Sequence, residues 1–215
     1  MNDAPVTGII LAAGRSRRLG RPKQLLPFGE TTLLGQVVLS ALAAPLNRVV
    51  LVLGPGMGAI GAGLARPGLT VVYTPETAPA CSVSIQTGLQ ASPGSGALLL
   101  LLGDQPGVTP AVVAAVLSGW RQAQRPVAVG RYRGGEYGHP FVLSGPALAE
   151  VPGLSGEKAV WSLLQAHPEW VQAVDLDRPL PRDVDVWDDY LALLAEHGLP
   201  LPVKVGAAPA EGGSR

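Results

Sequence analysis

The chain has 215 residues, of which 47% are hydrophobic and 15% are charged. This is enough apolar material for one domain with a substantial core. Sixteen basic and sixteen acidic residues give a formal net charge of zero, which argues against a nucleic-acid-binding protein. One cysteine excludes a disulfide framework and a thiolate metal cluster. The longest aliphatic run has six residues, Ala97–Leu102, whereas a membrane helix needs about 20. With no basic-then-apolar export signal at the N-terminus, we expect a cytoplasmic protein that does not bind membranes.

Apolar runs typical of buried strands alternate with helix-like segments over the first 130 residues. Strands are predicted at 6–11, 48–53, 69–73, 97–102 and 127–130. Helices are predicted from a cap at Thr31 or Thr32 to before Pro45, weakly through Ile60 and Leu64, from Ser82 or Ser84 to about Gln90, and from Thr109 to Gln122. This alternation predicts a three-layer, Rossmann-like α/β fold with a mostly parallel sheet and helices on both faces.

The rhythm changes after residue 130. Residues 131–143 predict a small β-hairpin insertion with a Gly134-Gly135 turn, which we expect to overhang the rim of the sheet. Short helices near 145–150 and 157–167, a strand at 170–174 and a final helix at 187–197 follow. We predict a single domain over 1–197 and a flexible tail, rich in Pro, Gly and Ala, over 198–215.

A basic, glycine-bearing loop follows the first strand. Five of the 16 Lys and Arg residues lie between Arg15 and Lys23, and Gly14 and Gly20 allow sharp turns. Forked guanidinium donors and exposed backbone N–H groups suit a triphosphate, although a solvated basic loop is the alternative. The spacing fits neither a Walker A loop nor the three-glycine dinucleotide pattern.

Two polar segments are expected on the same rim of the sheet. The basic loop follows Leu11, and Asp104 follows Leu102 after one glycine. Ligands of open parallel sheets bind beyond the carboxyl ends of the strands. Asp104 is therefore a candidate metal ligand, with capping of the next turn as its alternative role.

Four motifs in order carry a resemblance to a known family. They are Ala12-Ala13-Gly14-Arg15-Ser16-x-Arg18-Leu19-Gly20-x-x-Lys23, Gly103-Asp104-Gln105-Pro106, Gly138-His139-Pro140, and the acidic run Asp183 to Tyr190. Over about residues 6–194 the chain resembles the nucleotidyltransferases that act on molybdopterin, most closely the molybdenum cofactor cytidylyltransferases. It departs from the family pattern at Val186-Trp187, where Thr-Pro is usual, and at Thr74 and Ala80, where Asn and Gly are usual.

The resemblance implies an Mg²⁺-dependent transfer of CMP from CTP to molybdenum-loaded molybdopterin, with release of pyrophosphate. It assigns catalysis to Arg15, Lys23 and Asp104, and the metal to Asp104 and Asp185. It assigns the nucleotide to Leu11, Ala12, Ala13, Gly14, Arg15, Ser16, Arg18, Lys23 and Ser84. It assigns the acceptor to Gln105, Gly138, His139 and Pro140. A molybdoenzyme or its chaperone is the further partner that it suggests.

Several alternatives stay open at this point. Asp183 rivals Asp185 as the second metal ligand, Ser84 could cap a helix instead of contacting base or ribose, and His139 could fix the hairpin instead of contacting substrate. Ala13 favours CTP, because the guanylyl-transferring branch has Gly there, but one methyl group decides only about 1–3 kcal/mol. GTP, another phosphorylated acceptor, or a non-catalytic role as a molybdenum-cofactor chaperone are the competing functions.

Overall fold

Seven strands of the chain form one twisted sheet. The protein, a computed structural model, is described over residues 4–14, 16–76 and 80–202. Its strands are β1 (Val6–Ala12), β2 (Pro27–Phe28), β3 (Thr31–Thr32), β4 (Arg48–Leu53), β5 (Leu69–Tyr73), β6 (Ala97–Leu102), β7 (Val127–Arg131), β8 (Tyr137–Ser144) and β9 (Val171–Asp175). The sheet order is β5-β4-β1-β6-β8-β7-β9; only β8 runs against its neighbours. The predicted mostly parallel sheet is thus confirmed.

Helices cover both faces of this sheet. They are α1 (Leu33–Ala43), α2 (Gly58–Leu64), α3 (Cys81–Gln90), α4 (Pro110–Ala123), α5 (Gly145–Glu150), α6 (Ala159–Ala166) and α7 (Trp187–Glu196). Side chains of α1 and α4 pack on one face in a core that includes the fully buried Trp120. Side chains of α3, α5 and α6 pack on the other face around Phe141. The two cores give the predicted three layers.

The sequence predicts a capping residue for three of the helices, α1, α3 and α4, and two of these caps form. Thr32 accepts a hydrogen bond from the Gly35 N–H, and Thr109 accepts one from the Val112 N–H. The third helix, α3, begins one residue before the predicted Ser82 and ends at Gln90 as predicted, but neither Ser82 nor Ser84 caps it. Ala80 is the N-cap residue, and both serines lie buried inside the first turn.

The hairpin after residue 130 forms, but its predicted overhang is wrong. Gly134 and Gly135 turn the chain with positive φ angles of 94° and 87°, and the strands on either side are β7 and β8. Because Phe141, Val142 and Leu143 are apolar and buried on both faces, β8 inserts between β6 and β7. A separate antiparallel pair, β2–β3, forms a small second sheet.

Two further sequence expectations meet the structure only in part. Residues 203–215, most of the predicted tail, lie outside the described residues. Over the part of the chain that the structure describes, every helix is too short or too polar to cross a membrane.

The Thr32 cap gives a direct test of the α1 start. Replacing Thr32 by Ala removes the side-chain acceptor of the Gly35 N–H, so the free energy of unfolding should fall by about 1 kcal/mol. Urea denaturation followed by circular dichroism measures this change. Thr32→Ser keeps the hydroxyl and should stay close to the unmodified protein; equal losses in both variants would contradict the capping role.

Candidate active site

A cavity of about 680 Å³ opens at the carboxyl ends of β1 and β6. The predicted site residues that line it are Leu11, Ala12, Ala13, Gly14, Lys23, Ser84, Asp104, His139 and Asp185. Predicted residues that are not part of its lining are Ser16, Arg18, Gln105, Gly138 and Pro140. Arg15 lies outside the described residues. The rim location expected for Gly14 and Asp104 is therefore what the structure has.

The Lys23 ammonium joins three distant parts of the chain. Its Nζ donates to Asp104 Oδ2 at 2.5 Å and to the Val184 carbonyl at 3.0 Å. Asp185 Oδ1 lies 3.5 Å from the same nitrogen, and Asp185 Oδ2 accepts from Arg18 Nη2 at 2.6 Å. Asp104 and Asp185 thus face one another across a single cation, despite being 81 positions apart in sequence.

Burial and the neighbouring charges both shift the pKa values of this cluster. Burial alone lowers the pKa of Lys23, but the carboxylates of Asp104 and Asp185 outweigh it and raise the pKa above 10.5. Burial raises the pKa of Asp183, and the nearby Asp104 carboxylate adds to that shift. Lys23 is therefore charged at neutral pH.

A proline-rich strap, residues 176–186, carries the acidic segment to the cavity from the far edge of the sheet. It leaves β9 with the Leu176 N–H bonded to the Arg131 carbonyl. Leu180 then packs over Gly138, where any larger side chain would collide with it. Arg182 pairs with Glu196 of α7 at 2.6 Å. The strap explains how carboxylates that follow an edge strand reach the centre.

The end of the strap is fixed by the first turn of α7. The Asp189 carboxylate accepts the N–H groups of Asp185 and Val186 at 3.0 and 2.9 Å, and these bonds lower its pKa. This is the structural role expected of a carboxylate near a helix N-terminus. These bonds hold the backbone at Asp185, so its carboxylate stays close to Lys23. They form even though this chain has Val186-Trp187 where the family usually has Thr-Pro.

Two residues assigned to the acceptor, Gln105 and Gly138, also have structural contacts. Gln105 Nε2 donates to Asp183 Oδ1 at 2.6 Å, and its side chain is only 4% exposed. Gly138 lies beneath Leu180 of the strap. Both therefore hold the strap in place, a contact that the motif alone does not indicate.

The β8 end of the cavity is aromatic. The His139 ring meets Phe141 edge-on with centroids 4.6 Å apart, and Phe141 meets Trp161 in the same way at 5.3 Å. The Tyr132 hydroxyl donates to the His139 carbonyl oxygen. Burial lowers the pKa of His139 to about 3, so its ring is neutral at pH 7. Trp161 was missed from the sequence because it lies on an ordinary helix outside any motif.

The β5 end of the cavity is lined by small and polar residues, Thr74, Ala80, Cys81, Ser84 and Glu157. Burial, with the Glu157 charge nearby, raises the pKa of the Cys81 thiol to about 11. A neutral thiol is a poor nucleophile. The capping alternative for Ser84 is excluded by the Ala80 cap, which leaves its hydroxyl available at the cavity wall.

The neutral His139 makes stability depend on pH. Its pKa is lower in the folded state than in the unfolded chain, where it is near 6.5, so between about pH 6.5 and 3 the unfolded state binds more protons and folding weakens as the pH falls. Replacing His139 by Gln should reduce the loss of unfolding free energy between pH 7 and 5 by roughly 1.5 kcal/mol. Denaturation of both proteins at pH 7 and at pH 5 measures this difference. The change in unfolding free energy between pH 7 and 8, which should be nearly the same in both proteins, is the internal control. An unchanged difference would contradict the pKa assignment.

Comparison with known proteins places this arrangement in a family. The family model for the MobA-like NTP transferase domain matches residues 8–171. A relative from Paenarthrobacter nicotinovorans, named nicotine blue oxidoreductase, is 31% identical over 209 residues, with 89% of this chain and 98% of the relative covered.

Solved structures agree with this match. The crystal structure of Rv0371c from Mycobacterium tuberculosis H37Rv has a TM-score of 0.80 and 38% identity, covering 89% of this chain and 98% of that one. A complex of Rv0371c with manganese has a TM-score of 0.75 and 35% identity over the same shares. With its strand order, basic loop and paired carboxylates, the chain belongs to the MobA-like NTP transferase domain family of nucleotidyltransferases.

Proposed function

We propose that the protein transfers CMP from CTP to the terminal phosphate of molybdenum-loaded molybdopterin and releases pyrophosphate. The observation that carries the proposal is the meeting of Lys23, Asp104 and Asp185 at the wall of one cavity, beside the Ala12–Gly14 backbone. In such a group the cations can bind a triphosphate, and the carboxylates can bind a divalent metal. The acceptor and the base come from the motif resemblance.

The carboxylates fit a magnesium ion. Asp104 and Asp185 both approach one cationic centre, within 2.5 and 3.5 Å of the Lys23 nitrogen. Over the described residues no group of three or more His, Cys, Asp or Glu side chains forms a complete metal cage. This suits Mg²⁺, which usually takes one or two carboxylates and completes its shell with phosphate oxygens and water. The manganese complex of the relative Rv0371c also supports a divalent ion.

The proposed reaction forms a bond between an acceptor phosphate oxygen and the α-phosphorus of CTP and breaks the bond to pyrophosphate. When bound, Mg²⁺ would neutralise phosphate charge. Lys23 and Arg18 would exchange their carboxylate partners for phosphate oxygens, a contact that Lys23 makes as a compact charge and Arg18 as a fork. His139, neutral at pH 7, would position the acceptor without supplying a proton. Catalysis of this kind is alignment and charge stabilisation.

The layout of the cavity suggests which substrate lies at which end. The charged residues are central, at the ends of β1 and β6, with Ser84 and Thr74 on the β5 side and His139 and Trp161 on the β8 side. The two substrates must meet at the central charges for the transfer. We therefore place the cytidine towards Ser84 and the pterin ring towards Trp161, where an aromatic wall suits a flat heterocycle.

A second candidate function is an oxidoreductase. It is favoured by one observation, the match over 98% of a relative that is named nicotine blue oxidoreductase. An assay of pyrophosphate release separates the two, because an oxidoreductase forms none.

The main test measures pyrophosphate release with each of the four nucleoside triphosphates, Mg²⁺ and molybdenum-loaded molybdopterin. CTP should be the preferred donor, and Asp104→Asn should lower kcat by about 100-fold or more, because it removes a charge that holds the metal. Asp188→Asn, an exposed carboxylate in the same acidic run, is the matched control and should keep activity. GTP turnover equal to that of CTP would reject the cytidylyl assignment, and an active Asp104→Asn would remove Asp104 from the mechanism.

The acceptor end is tested separately with Trp161. Replacing Trp161 by Leu should raise the KM for the pterin acceptor about fivefold, as expected for loss of one aromatic contact, and leave the KM for CTP unchanged. Trp187→Leu is the control, since Trp187 is equally exposed, at 38% against 37%, but lies outside the cavity wall. A rise in the KM for CTP instead would place the base, not the pterin, at the aromatic end.

A further inference from the structure

Gln24 is a buried glutamine beneath the basic loop, with only 3% of its surface exposed. Its Nε2 donates to the Ala12 carbonyl at 3.1 Å and to the Gly14 carbonyl at 2.9 Å. A primary amide has two N–H donors, so both are used. The reverse orientation would set an oxygen against two carbonyl oxygens, so the contacts themselves fix the orientation of this amide.

The bond from Gln24 to the Ala12 carbonyl occupies the acceptor of the Ala12–Ala13 peptide and leaves the N–H of that peptide, the Ala13 N–H, without a partner. Over the described residues, the N–H groups of Ala13 and Gly14 donate no hydrogen bond, and both residues line the cavity. In a trans peptide the N–H points opposite to the C=O, so the Ala13 N–H points away from Gln24. Unused N–H groups in a loop are suited to bind an anion.

The same glutamine also fixes the far end of the loop. Gln24 Oε1 accepts from Ser16 Oγ at 3.5 Å, and Ser16 Oγ accepts from the Lys23 N–H at 3.0 Å. This explains why Ser16 is absent from the cavity wall: its hydroxyl is used within the loop. These bonds hold the Lys23 backbone, and the Lys23 ammonium extends from there to Asp104. One buried side chain, that of Gln24, therefore helps to orient both the backbone of the loop and the Lys23 ammonium.

We propose that Gln24 is a positioning residue that makes the loop a polyphosphate site. By occupying the Ala12 and Gly14 carbonyl oxygens, it removes two groups that would repel a phosphate, and it orients the Ala13 N–H away from itself and towards the ligand. The ligand class is a linear polyphosphate ester or inorganic triphosphate. The inference rests on the proposed function only in taking a nucleoside triphosphate as substrate, whatever its base.

The test uses inorganic triphosphate and CTP as probes, with binding followed by isothermal titration calorimetry. Gln24→Met keeps the length of the side chain but loses both donors, so triphosphate and CTP should bind at least about tenfold more weakly. With turnover, the KM for the nucleotide should rise while the KM for the acceptor stays constant, a split that general destabilisation would not produce. Gln122→Met, an exposed glutamine bonded to Ser118 Oγ at 3.2 Å, is the control.

A measurement on the unmodified protein keeps the test independent of the variant's folding. Amide hydrogen exchange at Ala13 and Gly14 should be fast in the free protein and slow at least tenfold when triphosphate is added. Exchange unaffected by triphosphate, or unchanged triphosphate affinity in a folded Gln24→Met, would overturn the proposal. A preference for GTP, or for another acceptor, would instead contradict the proposed function and leave the role of Gln24 intact.

Discussion

The ion pair between Lys23 and Asp104 is the contact on which the candidate site depends. The ammonium is largely removed from water, and its charge is kept by carboxylates on two sides and by one backbone carbonyl. An unpaired charge at this position would be costly, so the three segments that supply the partners stabilise one another. Arg18 continues the network outward to solvent, where its pair with Asp185 contributes less. The loop, the end of β6 and the strap therefore form one electrostatic unit.

The topology of the sheet explains why these segments can meet. β1 and β6 are parallel neighbours, so the residues that follow them emerge side by side. The acidic segment has a longer route, because it follows β9 at the opposite edge of the sheet. A strap with prolines at 179 and 181 crosses this distance, and the glycine at 138 makes room for its Leu180. Gly138, which stands in a motif associated with substrate, therefore also has a packing role.

The sequence predicted the strands and helices of the fold more closely than it predicted the side-chain contacts of the site. The ranges of β4, β5 and β6 agree with the prediction because each is a mostly apolar run that is followed by a polar or glycine residue. The place of β8 could not be predicted, since its Gly and Tyr residues resemble an exposed hairpin until its pairing with β6 is known. The family resemblance indicated Lys23 and Asp185, and the position of Asp104 after a buried strand indicated that residue as well. Gln24 and Trp161 have no such signal, because their roles depend on where their side chains point in the folded chain.

The division of the cavity into a centre with Lys23 and the aspartates and two ends with other side chains bears on how selectivity can arise. Ion pairs with phosphates and metals act on any nucleoside triphosphate, so Lys23 and the carboxylates cannot distinguish CTP from GTP. In the proposed reaction, discrimination would have to come from the parts that differ between substrates, which the Ala13 methyl, the Ser84 hydroxyl and the aromatic wall of His139 and Trp161 would contact. Single apolar contacts supply only about 1–3 kcal/mol, whereas unpaired polar groups reject a wrong ligand more strongly. If the charged centre is shared within the family, a change of substrate can therefore be made at the two ends of the cavity without changing Lys23, Asp104 or Asp185.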